Sequence, residues 1–427
     1  MLFRSARSGL FLRKWPCSGF FLIYLIIPEY QPFFEKILNY TLRITLRNLC
    51  MNDVTDQSNQ TPSYVNFGEI FYSPQFAAGC FNLTTRRLKD IEEQHGINIR
   101  RVARGNVPTR SYTSSDIFDI AALRRSLGQS KGIARQFVIA TFVQKGGTGK
   151  TTEAVNLALF LQLAGLKVLI IDNDPQGDTS SMLGFDPDLG PEDLEDMQIP
   201  HDRLVDGHVG NVISPLLRMR AFETKQLSDV IKKPFGENGP HLLPADSSLE
   251  DLGVALDAAD NSDMWYATWI EAANSGRVPS CDLSVYDVII FDNAPSGSRL
   301  TKNSVAASDL LLCPVRMDKF SFRALLRLHE WCARFAQAYR RAPAITAVPT
   351  MFIRNRSRLE SNLAMLNDMF PGQVTDERIY YSEDYSKAME EGVPLLLWKG
   401  AGNKTVDTAR AVYGEILSKI RALTKSE

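Results

Sequence analysis

A nine-residue stretch, Gln144-Lys145-Gly146-Gly147-Thr148-Gly149-Lys150-Thr151-Thr152, restricts what this chain can fold into more than any other feature. It lies between an apolar run of strand length, residues 137–143, and a helical pattern over 151–163. Glycines let the backbone curl so that successive N–H groups face an anion, and the helix start adds the positive end of its dipole. In a loop of this kind Lys150 reaches the β- and γ-phosphates of a nucleotide, and the Thr151 hydroxyl completes a magnesium shell. The usual phosphate-binding loop has Gly where this chain has Gln144, and here a second lysine, Lys145, directly precedes the glycine pair.

Four more near-continuous apolar runs follow, at 168–171, 288–291, 310–315 and 345–353, most of them separated by helical patterns such as 322–339. Runs of that length suit strands buried on both faces, so the region 131–427 is expected to be α/β, a doubly wound, mostly parallel sheet. A stretch at 185–240, rich in Pro, Gly and Asp, reads as an insertion of loops and short helices. With 427 residues the chain has room for two or three domains.

Lys and Arg total 48 against 49 Asp and Glu, which excludes a wholly basic nucleic-acid coat and confines any such surface to a local patch. One candidate patch is a small helical unit over 67–130. Pro74 suits the first turn of a short helix, and Gly79 permits the turn after it. Thr84 or Thr85 then caps a second helix, apolar at Leu88 and Ile91, that closes at Gly96. Arg86, Arg87 and Lys89 fall in the first turns of that second helix, where a recognition helix presents side chains to DNA. Past a Gly105-Asn106 turn, Arg110-Ser111-Tyr112-Thr113 leads into Asp116-Ile117-Phe118-Asp119-Ile120, a pattern that resembles the winged helix-turn-helix of MerR-like domains. Between Arg86 and Arg125 nine basic residues face five acidic ones, the local excess that duplex binding needs. Thr84, Thr85, Arg86, Arg87, Lys89 and Arg110 are the candidate DNA-binding residues.

The first fifty residues differ from the rest, with seven basic and two acidic residues and ten of the chain's 41 aromatics. Their apolar octet at 20–27 ends at Pro28, well short of the ~18 residues that cross a bilayer. A basic start followed by an apolar octet imitates a secretory signal without its cleavage site. The composition turns polar at Met51, which is the expected translation start, so that 1–66 reads as a non-native extension and linker. Six cysteines (Cys17, Cys50, Cys80, Cys281, Cys313 and Cys332) show no C-x-x-C pair and read as thiols rather than a zinc or disulfide framework.

The stretch Lys145-Gly-Gly-Thr-Gly-Lys150-Thr resembles the deviant Walker A motif of the ParA/MinD class of P-loop ATPases. Ile171-Asp172-Asn173-Asp174-Pro175-Gln176-Gly177 follows the second strand as in ParA proteins, and Val288-Ile-Ile-Phe-Asp292-Asn-Ala-Pro295-Ser296 stands in the Walker B place. The likeness continues through Leu243-Pro244-Ala245-Asp246, Pro314-Val315, Thr350-Met351-Phe352 and Glu390-Glu391-Gly392-Val393-Pro394, over roughly residues 135–420. It implies that Gly146, Gly147, Thr148, Gly149, Lys150, Thr151 and Thr152 cradle ATP. Lys145 becomes the signature lysine that crosses to the other subunit's phosphates in an ATP-bound homodimer. Asp174, with Lys145 and Lys150, belongs to the catalytic set and to the switch that positions water; Asp172 supports that switch, and Asp292 holds Mg2+ through water beside Thr151. Met351 is a candidate contact to adenine. Two departures stand out: Asn293-Ala294 before Pro295, and Ile379-Tyr380-Tyr381 where family members carry Ile-Pro-Arg. Arg354, Arg356 and Arg358 form the nearest alternative basic cluster.

The resemblance therefore implies a cytoplasmic, nucleoid-associated partition ATPase that moves a plasmid or chromosome. It would bind double-stranded DNA without sequence preference, answer to a ParB-like centromere-binding partner, need no membrane, and repress its own operon through the N-terminal unit. Two alternatives remain at this stage. One is a MinD-like membrane-cycling ATPase, using Ile416, Leu417, Ile420 and Leu423 with Lys419, Arg421 and Lys425 as a basic amphipathic helix. The other is an ATP-responsive repressor with negligible turnover.

Overall fold

The computed structural model describes residues 10–11, 24–25, 65–104, 107–217 and 222–425. Two short antiparallel strands, β1 (Leu10–Phe11) and β2 (Tyr24–Leu25), belong to an N-terminal unit of residues 1–61. The expected start at Met51 and the rest of the expected 1–66 extension, up to residue 64, lie outside the described residues. Everything from residue 62 onward forms one compact unit.

That unit opens with α1 (Pro74–Cys80) and α2 (Thr85–His95), then the antiparallel hairpin β3 (Arg101–Arg104) and β4 (Val107–Arg110), then α3 (Ser114–Ser126). Local chemistry sets each boundary. Ser73 caps α1 with Pro74 in its first turn, and the Thr84 hydroxyl accepts from Arg87 N–H at 3.2 Å. Gly96 closes α2 in the left-handed region at φ 67°, where a side chain is strained. Thr113 and Asp116 make a reciprocal capping box at the start of α3.

The remainder alternates strands and helices: β5 (Phe137–Thr141), α4 (Lys150–Leu163), β6 (Val168–Asn173), α5 (Asp178–Met182), α6 (Pro191–Asp196), α7 (Val209–Leu217), α8 (Leu227–Val230), β7 (His241–Leu243), α9 (Leu249–Asp257) and α10 (Trp265–Asn274). Then come β8 (Val288–Asn293), α11 (Arg299–Ala307), β9 (Leu310–Arg316), α12 (Lys319–Tyr339), β10 (Ala344–Thr350), α13 (Ser357–Met369), α14 (Glu383–Glu390) and α15 (Asn403–Leu423). Six strands pair in the order β10-β9-β5-β8-β6-β7, every pair parallel. All five strands expected from the apolar runs are present; β7 was too short to stand out. The described residues of the 185–240 stretch form loops and short helices.

Alternate residues of each strand enter two separate hydrophobic clusters, which is why the runs read as continuously apolar. Phe137, Ile139, Ile170 and Ile290 face α4 and α15, whereas Val138, Ala140, Ile171 and Phe291 face α9–α13. The first cluster also contains Phe67, Tyr72, Ile117 and Phe118, so the helical unit of 67–130 shares a core with the six-stranded sheet. Phe235, inside the 185–240 stretch, joins them, its ring 4.6 Å from Phe67 and 5.6 Å from Phe118. In α15, Ile416 and Ile420 are 1% and 0% exposed, so the face that a membrane-cycling reading would free is packed inside the protein. No helix among the described residues is long and apolar enough to cross a membrane.

Glu153, in the first turn of α4, is buried and accepts a hydrogen bond from the Tyr413 hydroxyl of α15 at 2.7 Å. Burial pushes its carboxyl up to about 7 from 4.5, against the Tyr413 bond. A carboxyl raised on folding adds stability in full below its unfolded value and loses it as pH climbs through the folded one. Glu153→Gln should therefore melt near wild type at pH 5 and gain on it steadily toward pH 8 in thermal scans of the apo protein; parallel pH curves for the two would contradict the buried-carboxyl account.

Candidate functional site

The phosphate-binding loop, Asp172 to Asp174, Asp292, Asp318 and Met351 all stand at the carboxyl ends of strands, on one rim of the sheet. The strand order reverses around β5, and such a crevice is where open α/β sheets bind ligands. Gly147 and Gly149 take φ 65° and 89°, and the N–H groups of Gly146, Gly147, Thr148 and Gly149 have no partner among the described residues. Together with the unbonded N–H groups at the start of α4 they form an anion nest. Lys150 is 8% exposed and donates to the Lys145 carbonyl at 3.2 Å. Burial pulls its ammonium below the usual lysine range while Asp292, Asp174 and Asp178 oppose that pull.

Register explains Asp292. It lies opposite Thr141 on β5 and Asp172 on β6, so one buried carboxylate meets three hydroxyls. Thr151, Thr141 and Thr179 donate to it at 2.7, 2.7 and 2.8 Å. Burial nevertheless raises its carboxyl above the ordinary range, the three hydroxyls pulling the other way. Asp172 is pushed up to about 8, first by burial and then by Asp292, and accepts from Ser180 N–H at 2.9 Å and its hydroxyl at 2.7 Å. Asp174 is half-buried, raised by burial, and accepts from Gln176 N–H at 3.1 Å in the turn that ends at Gly177. A Cβ at Gly177 would fall 2.6 Å from Pro187 and 3.2 Å from the Ala245 carbonyl, so the turn requires glycine.

Lys145 is held within its own chain. Its ammonium donates to Asp318 at 2.6 Å and to the Ser321 hydroxyl at 3.2 Å, while the Asp318 carboxylate also caps α12 through Phe320 and Ser321 N–H. Burial works against the charged form of Asp318, but Lys145 and the capping bonds win and hold its carboxyl below the ordinary range. Met351 takes a left-handed φ of 51° just past β10 and is 38% exposed. With Thr148, Thr152, Glu153, Tyr380, Tyr381 and Tyr385 it lines a cavity of about 130 Å³ beside the loop. The Thr148 hydroxyl is buried there without a partner among the described residues. The departure at Ile379-Tyr380-Tyr381 puts Tyr380 under the Arg354 guanidinium, 4.1 Å from the ring centre.

Amide donors, a buried ammonium and a hydroxyl–carboxylate pair, Thr151 and Asp292, suit a nucleotide polyphosphate with a hard divalent cation. Thr141, Thr179, Ser180 and Asp318 were not singled out from the sequence. Thr141 and Thr179 become significant only through register, and Asp318 only because a residue 173 positions from Lys145 folds beside it.

In the helical unit of 67–130, Thr84, Thr85, Arg86, Arg87 and Lys89 are exposed at the start of α2, and Lys89 is 3.5 Å from Glu93. Arg110 is turned inward: its guanidinium meets Glu92 at 2.7 Å, and Glu92 also accepts from Tyr112 at 2.5 Å. This candidate DNA contact therefore ties the hairpin to α2 instead of standing free. Arg100 and Arg101, not selected from the sequence, are exposed on the segment entering the hairpin.

A family model described as an AAA domain matches residues 136–344. The chain is similar to the chromosome partitioning protein ParA of Caulobacter vibrioides, 28% identical over 270 residues, covering 62% of this chain and 90% of that one. It is similar to the sporulation initiation inhibitor protein Soj of Bacillus subtilis, 32% identical over 191 residues, covering 45% of this chain and 62% of that one. Among solved structures, the ATP complex of a Cyanothece McdA variant shares the fold with a TM-score of 0.51 at 19% identity, covering 67% of this chain and 98% of the other.

Removing the buried carboxylate's charge tests the metal half of the site. Asp292→Asn should keep the fold, because its hydroxyl neighbours can still bond the amide oxygen, yet lose most of the magnesium dependence of nucleotide affinity in titrations with and without chelator. An unchanged magnesium dependence would remove Asp292 from the metal shell.

Proposed function

From the premise that this chain is a ParA-type P-loop ATPase, we propose that it drives partition of a plasmid or chromosome by an ATP-dependent hold on DNA. The observation that supports this most is the second loop lysine: Lys145 is kept away from its own phosphate nest by Asp318, a charge available for another copy.

In this reading the loop amides, Lys150 and Thr152 grip the triphosphate, and Met351 lies against adenine. Thr151, and Asp292 through water, would hold magnesium, which would supply charge neutralisation for the triphosphate. Asp174 orients the water that attacks the γ-phosphorus as its bond to the β-phosphate oxygen breaks, giving ADP and phosphate. Asp172, anchored by Ser180, keeps that turn in place. Lys145 leaves Asp318 when two ATP-loaded copies meet and offsets the repulsion of their facing anions. The homodimer holds duplex DNA through phosphate contacts, a ParB-like centromere-binding protein stimulates hydrolysis, and the protein is nucleoid-associated. The N-terminal helix-turn-helix reads an operator with Arg86, Arg87 and Lys89, which makes the protein its own repressor.

The test is retention of random duplex by the full chain with ATP, ADP or no nucleotide. Retention should appear with ATP, fall steeply with salt, and drop about 100-fold or more in Lys150→Ala, which removes a buried charged donor. Equal retention in all three states would overturn the reading. Asp318→Asn should do the reverse. An ion pair of this exposure is worth up to about 1 kcal/mol per subunit, so releasing Lys145 should bring ATP-dependent dimerisation to roughly tenfold lower protein concentration, measured by light scattering.

A further inference from the structure

The site just described leaves unassigned the surface that meets DNA. α12 begins at Asp318, on the rim of the nucleotide site, and runs for 21 residues. Its apolar face is committed to the protein: Phe322, Leu325, Leu328, Cys332 and Phe335 are all buried. The opposite face carries Lys319, Arg323, Arg327 and Arg334, all exposed. At about 100° per residue these four fall within roughly 80° of one another around the helix axis. Neighbouring members at four-residue spacing are about 6 Å apart along it, and the stripe is about 22 Å long.

None of the four has an acidic partner among the described residues. Elsewhere in the same unit arginines are paired off, as Arg125 is with Asp287, Arg299 with Asp257 and Asp263, and Arg378 with Glu360. The lone acid on the stripe, Glu330, is exposed and makes no ion pair among the described residues. Arg316, exposed at the end of β9, extends the positive charge toward the nucleotide site. Unpaired cations in a straight file suit a regular polyanion, since duplex DNA places a charge on each strand about every 3.4 Å along its axis. A lipid surface is the poorer match, because interfacial helices bury a wide apolar face and that face of α12 is used by the core.

We infer that the Lys319–Arg323–Arg327–Arg334 face of α12 is the sequence-independent duplex-binding surface of this protein, a proposal that rests on the partition reading above. Phosphates lie along the stripe, and no base is read. Because α12 is capped by the carboxylate that holds Lys145, the stripe starts where nucleotide binding rearranges charge.

The experiment measures random-duplex affinity of the full chain with ATP over a range of salt. R323Q/R327Q/R334Q should keep wild-type melting and DNA-free ATP turnover, lose about 10- to 100-fold in duplex affinity, and lower the salt slope by about three. R323K/R327K/R334K should restore binding, because phosphate contacts need charge rather than guanidinium shape. K399Q/K404Q/K425Q, a control on other exposed lysines, should bind as wild type. Wild-type affinity and slope in the triple glutamine variant, with wild-type protein binding DNA normally, would overturn the assignment of this face while the partition reading stands. Wild-type protein that ignores DNA with ATP overturns both. Wild-type protein that instead binds vesicles rich in anionic lipid, and loses them in the glutamine variant, gives the stripe to a membrane and overturns the DNA assignment.

Discussion

The pairing of β6 with β8 brings two carboxylates, Asp172 and Asp292, side by side at the end of a sealed sheet. Both are essentially fully buried, and an isolated charge in that place is far more costly than a bonded one. Asp292 is tolerated because Thr141, Thr151 and Thr179 surround it, and Asp172 because Ser180 binds it twice. Those same groups are the ends of β5, α4 and α5, so satisfying the acids fixes the geometry of the phosphate loop and of the turn that bears Asp174. Burial holds both acids above the ordinary carboxylate range, the kind of perturbation that clusters at functional sites.

Beside this pair, the partner of Lys145 is the contact most open to exchange. Lys150 is buried and bonded to backbone, while Lys145 is bound only at its tip, to a carboxylate and a hydroxyl at the start of α12. One loop thus carries one lysine fixed in its own site and one secured by a surface ion pair of modest strength. The helical unit of 67–130 is joined to the same framework: Glu153 follows the loop and bonds Tyr413 on α15, and Arg410 of α15 donates to the Gly79 carbonyl in the last turn of α1 at 2.8 Å.

Much of this was legible in the sequence because it is local. Loop glycines, buried strand runs, and helix-end signals such as Pro74, Thr84 and Gly96 act within a few residues, and the elements formed where those signals stood. The three aspartates could be named because each stands at the end of a strand. Their hydroxyl partners could not, since they depend on register across strands far apart in the chain. Arg110 illustrates the same limit: its charge suggested DNA, but the hairpin brings it to Glu92, and nothing within reach along the sequence foretells that pairing. The α12 stripe was visible as a helical pattern only; its significance lies in the lack of acid partners among the described residues, a property of the folded surface.

The central claim is that each chain carries a site completed by a second copy through Lys145. The most direct measurement is ATP turnover per subunit as the full chain is diluted. The account predicts that specific activity falls with dilution as dimers dissociate, and that Lys145→Gln is low at every concentration. Specific activity independent of concentration down to nanomolar protein, unaffected by Lys145→Gln, would contradict it.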